Sequence, residues 1–189
     1  MNKQQLRKIY KEKRKNISHH QKEKWDDLLL IQFQKLSFNH LQTVLSFLPI
    51  EKMNEPNTHL LTRYLSAIIP NLQIAYPVID SKQNSMQAYV TDDETVYRFN
   101  AINIIEPANG KLIQPNEINL IIVPLLIFDE QGYRVGYGKG FYDKYLLNCK
   151  NNVIKTGLSY FAPVNKIDDC SSFDIPLTNC ITTERIYEF

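Results

Sequence analysis

Four of the six glycines in this 189-residue chain, Gly132, Gly136, Gly138 and Gly140, fall within nine residues, interleaved with the cations Arg134 and Lys139 in RVGYGKGFYDKY, residues 134–145. Glycine frees φ and removes the Cβ that would hold an anion away from backbone N–H groups, so this stretch has the chemistry of a phosphate loop; the alternative is a glycine-rich turn closing a hairpin. A helix opening directly after the loop adds partial positive charge to such a site. The spacing is neither the G-x-x-x-x-G-K-S/T of a Walker A loop nor the G-x-G-x-x-G of a dinucleotide fingerprint. Asp143 falls in the first turn of the following helix, where a carboxylate either answers the helix dipole or holds a divalent cation against phosphates. Asp174, in SSFDIPLT, is a second candidate carboxylate, with a structural turn as its other reading. Lys3 and Arg7, one helical turn apart, either grip phosphate oxygens together or form part of a solvated face. Glu55 sits in a polar loop, where an ordinary exposed acid is the default. Tyr133, Tyr137, Phe141 and Tyr142 suit either stacking on a flat heterocycle or core packing. The four histidines have no metal-ligand spacing, and no Ser/His/Asp arrangement is legible.

The elements that must position these residues follow from periodicity. Leu6, Ile9, Tyr10 and Ile17 recur at helical spacing among charges and predict an amphipathic helix over residues 2–16. Ser18 and Gln21 have the form of a capping box opening a second helix, whose apolar face runs from Trp25 to Leu36. TVLSFLPI from Thr43 predicts a strand, closed by the polar loop EKMNEPNT. A helix is expected over 59–69, with strands at QIAYPVI and SMQAYV. Residues 119–128 are apolar on both faces, as in a central strand covered on both sides, although Pro124 demands a bulge there. After the glycine loop come a short helix over 141–149, the strand NVIKTGLSY, an irregular stretch and a last strand near ITTERIYEF. Alternation of this kind predicts an α/β fold with helices on both faces of a mostly parallel sheet, in a single domain over 1–189.

Composition narrows the class. Apolar residues are 43% and charged residues 22% of the chain, which fits a globular domain rather than disorder or a fibrous repeat. The longest apolar run, Leu120 to Phe128, falls far short of the roughly 20 residues that span a bilayer. No apolar segment of secretory type opens the chain, so the cytoplasm is the expected compartment. Cys149, Cys170 and Cys180 lack C-x-x-C spacing and are expected as reduced thiols. Nine of the 22 basic and two of the 20 acidic residues lie within residues 1–24, so a head of +7 precedes a body of −5. Such a head suits a polyanion, a small phosphorylated ligand or a solvated helix face.

The tract FDEQGYRVGYGKGFYDKYL, preceded by NLIIVPLLI, closely resembles the signature of the 5-formyltetrahydrofolate cyclo-ligase family. KQQLR near the start, FLPIEKMNEPNT after the first strand and SFDIPLTNCITTERI near the end match it in order, so the resemblance covers essentially the whole chain. It implies a three-layer α/β/α fold. It also implies an ATP- and Mg²⁺-dependent conversion of 5-formyltetrahydrofolate into 5,10-methenyltetrahydrofolate, ADP and phosphate, in a monomer with no nucleic-acid or membrane partner. By the same resemblance Lys3, Gln4, Gln5, Leu6 and Arg7 help hold ATP. Arg134, Val135, Gly136, Tyr137, Gly138, Lys139, Gly140, Phe141 and Tyr142 form the nucleotide loop, with Lys139 and Arg134 as the catalytic cations. Tyr137, Gly138, Lys139, Gly140 and Phe141 also border the folate, Ile50 and Glu55 contact its pterin and formyl region, and Asp143 and Asp174 serve the metal. Lys139 stands where many relatives carry a glycine, and the loop from Leu48 to Glu55 is longer than in some of them. The competing readings are a nucleic-acid module using the basic helix and another small-molecule kinase. A nucleic-acid surface, however, should extend across the fold rather than along one helix.

Overall fold

In a computed structural model that describes residues 1–101 and 103–189, the basic head is a helix, α1 (Lys3–Lys15), capped by Asn2 in a reciprocal capping box with Gln5. Ser18 accepts a hydrogen bond from the Gln21 N–H and opens α2 (His19–Phe33). The chain continues through β1 (Thr43–Leu45), α3 (Thr58–Ile68), β2 (Gln73–Asp80), β3 (Ser85–Val90), β4 (Tyr97–Phe99), β5 (Ile105–Pro107) and β6 (Lys111–Ile113). It then forms β7 (Leu120–Val123), β8 (Ile127–Phe128), β9 (Arg134–Val135), α4 (Phe141–Leu146), β10 (Ile154–Leu158), β11 (Asn179–Ile181) and β12 (Ile186–Glu188).

Eight strands share one sheet in the order β12-β11-β10-β7-β1-β2-β3-β6. The five central strands are mutually parallel, while β12 pairs antiparallel with β11 on one side, and on the other β3 pairs antiparallel with β2 and β6 antiparallel with β3. The period-2 rule of strands divides β7 between the faces. Leu120 and Ile122 point to a core shared with Leu29 and Phe33 of α2 and Leu61 and Leu65 of α3. Ile121 and Val123 point to the opposite core, closed by Tyr145 and Leu146 of α4. Helices therefore cover both faces, as the α/β/α expectation required, and each fully buried Leu or Ile contributes about 1.5–3 kcal/mol. A third cluster docks Leu6 and Tyr10 of α1 on Leu126, Ile127 and Val135, fixing α1 across the end of the sheet.

The differences from the expected elements have local causes. Residues 119–128 are two strands, because Pro124 has no N–H to continue the ladder and the chain bends so that Leu126 N donates to Val135 O. β8 thus pairs with β9 in a separate ribbon that leads into the glycine loop. The first strand stops at Leu45 instead of running to Ile50; beyond it Pro49 has no N–H to offer a ladder, and the Ile50 N–H is taken by the Glu55 carboxylate. The segment near ITTERIYEF is an antiparallel pair, β11 and β12, rather than one strand. β4, β5 and β6 carried no strand signal in the sequence; the β4–β5 hairpin folds back on β2, where Glu106 accepts from Ile79 N.

Candidate active site

At the carboxyl ends of β1, β2 and β7, where open α/β sheets place their ligands, lies a cleft of about 650 Å³. Pro124 after β7, Phe47 and Leu48 after β1, and Pro77 and Ile79 of β2 form its floor. The glycine loop is one wall, α1 a second, the segment from Ile50 to Glu55 a third, and the β4–β5 hairpin a fourth. A smaller groove of about 290 Å³ between β3, β6 and α4 lies apart from these residues.

The loop wall is held open by glycine. Gly138 has φ +93°, and a Cβ there would meet the Arg7 guanidinium at 3.2 Å. Gly140, with φ +71°, turns the chain into α4. Arg7 ties α1 to this wall by donating from Nε to Gly136 O at 2.9 Å. Lys3, Arg7 and Lys11, four residues apart, all face the cleft, so one face of α1 is cationic there. Lys139 is exposed and makes no hydrogen bond or ion pair among the described residues. It is a cation held ready for an anionic ligand.

Arg134 differs. Its side chain is 6% exposed, donates to Ile175 O and pairs with Asp143 Oδ1 at 2.8 Å. It therefore braces the loop and aims Asp143 rather than standing free. Asp143 Oδ1 also accepts from Ile175 N at 3.2 Å, while Oδ2 has no hydrogen bond among the described residues. A hard oxygen left open beside the cleft fits a magnesium ion, which takes one or two carboxylates and fills its remaining positions with phosphate and water oxygens. Asp174 is already satisfied. Both its oxygens lie 2.5 Å from Lys3 Nζ, and Oδ2 also accepts from Ser171 N and Oγ. Burial pulls its carboxyl upward, but Lys3 and Ser171 outweigh that and hold it below the usual aspartate value. Among the described residues no group of three or more His, Cys, Asp or Glu forms a metal cluster.

The opposite wall holds a buried acid. Glu55 is 2% exposed. Its Oε1 accepts from the Tyr137 hydroxyl at 2.5 Å and its Oε2 from Ile50 N at 2.7 Å. Desolvation raises its pKa above the usual 4.5, opposed by those two hydrogen bonds and by the charges of Arg14 and Lys22. Burial and the neighbouring carboxylate likewise push the Tyr137 phenol far upward, so it remains a donor. The Tyr142 hydroxyl is buried without a hydrogen-bond partner among the described residues.

Of the residues singled out in the sequence, the cleft brings together Lys3, Arg7, Ile50, Glu55, Arg134, Gly136 to Asp143, and Asp174. Gln4, Gln5, Leu6 and Val135 do not line it. Gln4 is exposed, Gln5 caps α1, and Leu6 and Val135 are core residues at 1% and 0% exposure. A contiguous stretch of helix or strand cannot present every side chain to one side. Sequence reasoning missed Lys11, whose spacing from Arg7 would have revealed it, and Asn100, Asn103 and Glu106 of the hairpin. No local signal marks those three, because long-range antiparallel pairing brings them in.

A sequence profile described as the 5-formyltetrahydrofolate cyclo-ligase family matches residues 1–179. The 5-formyltetrahydrofolate cyclo-ligase of Mycoplasma genitalium is 40% identical over 52 residues, 28% of this chain and 32% of that one. The enzyme of the same name from Haemophilus influenzae is 36% identical over 87 residues, 44% of this chain and 46% of that one. The chain thus spans less than half the length of these curated relatives that it matches. The NMR structure of Aquifex aeolicus 5,10-methenyltetrahydrofolate synthetase superposes with a TM-score of 0.82 at 26% identity, covering 100% of this chain and 93% of that one.

Proposed function

The chain belongs to the 5-formyltetrahydrofolate cyclo-ligase family, and we propose that it uses ATP to close 5-formyltetrahydrofolate into 5,10-methenyltetrahydrofolate, releasing ADP and phosphate. The observation that carries this reading is a single cleft with Lys139, which has no hydrogen-bond or ion-pair partner among the described residues, on a glycine loop, three α1 cations on an adjoining wall, and a buried carboxylate, Glu55, on another. One chain supplies every wall, so a monomer suffices.

The chemistry explains the two ends. The formyl group on nitrogen 5 is an amide whose oxygen must leave before nitrogen 10 can bond to its carbon, and hydroxide is a poor leaving group. Attack of the formyl oxygen on the γ-phosphorus of ATP forms a phosphorus–oxygen bond and breaks the bridge to ADP, giving a phosphorylated imidate. Nitrogen 10 then adds to the activated carbon and loses its proton, and phosphate departs with the carbon–oxygen electron pair. Such transfer depends on positioning and charge neutralisation, not on a protein nucleophile. Lys139 and the backbone N–H groups from Gly136 to Gly140 meet the phosphates, and Arg7 and Lys11 supply charge from α1. Arg134 keeps Asp143 oriented toward them. Asp143, and Asp174 if freed from Lys3, would hold a magnesium ion, which would supply neutralisation of phosphate charge. Ile50 and Glu55 border the pterin and formyl group, where the carboxylate opposes the positive charge that develops as the ring closes.

The test is incubation with ATP, Mg²⁺ and 5-formyltetrahydrofolate. The expected result is methenyl product formed with equal ADP and phosphate. Nucleotide consumption without ring closure would favour a kinase of another substrate, and steeply salt-dependent oligonucleotide binding with no turnover would favour the nucleic-acid reading.

A further inference from the structure

Arg14, near the end of α1, is 1% exposed and forms no direct ion pair with any described carboxylate. Burying a guanidinium without compensation is expensive; its two terminal nitrogens are occupied, while Nε has no hydrogen-bond partner among the described residues. One terminal nitrogen donates to Leu125 O, at the bend after Pro124, and the other to the Tyr137 hydroxyl at 3.3 Å. Tyr137 in turn donates to Glu55 Oε1 at 2.5 Å. Guanidinium, phenol and carboxylate therefore form one directional chain, each group donating to the next, and bonds in such a chain polarise and strengthen one another. The ends are pinned. Asn54, beside Glu55, donates from Nδ2 to Arg14 O at 2.8 Å and to Ile17 O at 3.2 Å, and Lys11 Nζ lies 5.7 Å from the centre of the Tyr137 ring.

We propose that Arg14 is a positioning residue for the folate end of the cleft: through the Tyr137 hydroxyl it fixes the Glu55 carboxylate as an oriented, charged acceptor. The inference rests on the reading that Glu55 borders the folate. Its consequence is a mechanical link between the two substrates' sites. The helix whose Arg7 supports the glycine loop also carries, two turns on, the residue that sets the acid at the far wall. A ring closure that creates an amidinium cation gains from a carboxylate held in the charged state before substrate arrives. Glu55 is also faced by Lys22 of α2, whose Nζ holds Asp26 at 2.6 Å, by Tyr142 of α4, and by Tyr160, whose hydroxyl donates to Asp26 at 2.6 Å and lies 3.4 Å from Glu55 O. None of these replaces the phenol as a donor to Oε1.

The test uses full-length protein labelled with ¹³C at glutamate carboxyls, titrated by NMR without substrates, in the wild type, Tyr137→Phe, Arg14→Met and Arg14→Lys. The Glu55 midpoint is expected to rise in Tyr137→Phe and in Arg14→Met, with Arg14→Lys falling between Arg14→Met and the wild type. In turnover, kcat/KM for the folate falls about tenfold in Tyr137→Phe and Arg14→Met while the KM for ATP holds, with partial recovery in Arg14→Lys. If Arg14→Met does not fold, Tyr137→Phe and Arg14→Lys decide the question. A Glu55 midpoint unchanged in the folded variants overturns the proposal. A wild type unable to close the ring overturns the proposed function instead, since the titration needs no catalysis.

Discussion

At one end of the cleft Lys139 stands on an exposed loop with no described partner, while at the other the Glu55 carboxylate is 2% exposed and held by two donors. The first end leaves its charge for the ligand to satisfy; the second satisfies its charge in advance. The difference matches what each end would meet in the proposed reaction. Phosphates are highly charged, strongly hydrated and interchangeable in outline, so a flexible cation and a concave backbone suffice. A pterin with a single reacting carbon requires a fixed acceptor, and fixing one requires burial and neighbours.

Four substitutions can break or sharpen this contrast. Lys139→Ala should lower kcat by roughly 10²–10³-fold, as loss of one group stabilising transition-state charge does. Because its side chain is exposed and makes no hydrogen bond or ion pair among the described residues, stability should stay within about 0.5 kcal/mol. Parallel kinetics and thermal melts check both, and a fall in melting temperature matching the loss of activity would erase the contrast. Glu55→Gln should lower kcat/KM for the folate about 100-fold with KM for ATP unchanged.

The pH dependence of Glu55 sharpens the same comparison. Burial raises its pKa in the folded state. Activity that needs the carboxylate therefore rises as pH climbs through that displaced titration, and Glu55→Gln should lose this acid limb. For stability the sign is opposite: the contribution of a raised acid is fully present below its unfolded pKa and is lost as pH rises through the folded one. Melts of the wild type should decline across that window relative to Glu55→Gln.

Gly138→Ala places a methyl group 3.2 Å from the Arg7 guanidinium on a backbone at φ +93°. The KM for ATP should rise about tenfold, more than that for the folate, because strain of this kind costs of order 1–3 kcal/mol. Asp143→Asn should have the smallest effect at saturating metal, raising the Mg²⁺ concentration needed for half-maximal rate several-fold, since a neutral amide is a weaker ligand for a hard cation. A magnesium titration of turnover reads it directly. An unchanged requirement would leave Asp143 as only the partner of Arg134.

The same contrast explains what the sequence could disclose. The glycine loop lies in one contiguous run, and glycine spacing with an adjacent apolar strand marks it without knowledge of the fold. Lys3 and Arg7 were legible because helical periodicity places them on one face; the same periodicity sends Gln4, Gln5 and Leu6 elsewhere. The Glu55 end is assembled from distant pieces. Glu55 looked like an ordinary loop acid, and only the approach of Tyr137 and the Ile50 turn makes it a buried one. Arg14 was one charge among nine in a basic head, and nothing in its neighbours predicts burial at 1% exposure. The break at Pro124 was signalled as a bulge, but its use could not be foreseen: it turns the chain so that Leu125 O meets Arg14 and β8 leads into the glycine loop.

The central claim is that the formyl oxygen is phosphorylated and leaves as part of phosphate. Substrate labelled with ¹⁸O in the formyl group, converted with unlabelled ATP in ordinary water, tests this by mass spectrometry of the inorganic phosphate. One ¹⁸O atom is expected in each phosphate released. Phosphate free of label, with methenyl product still formed, would contradict it.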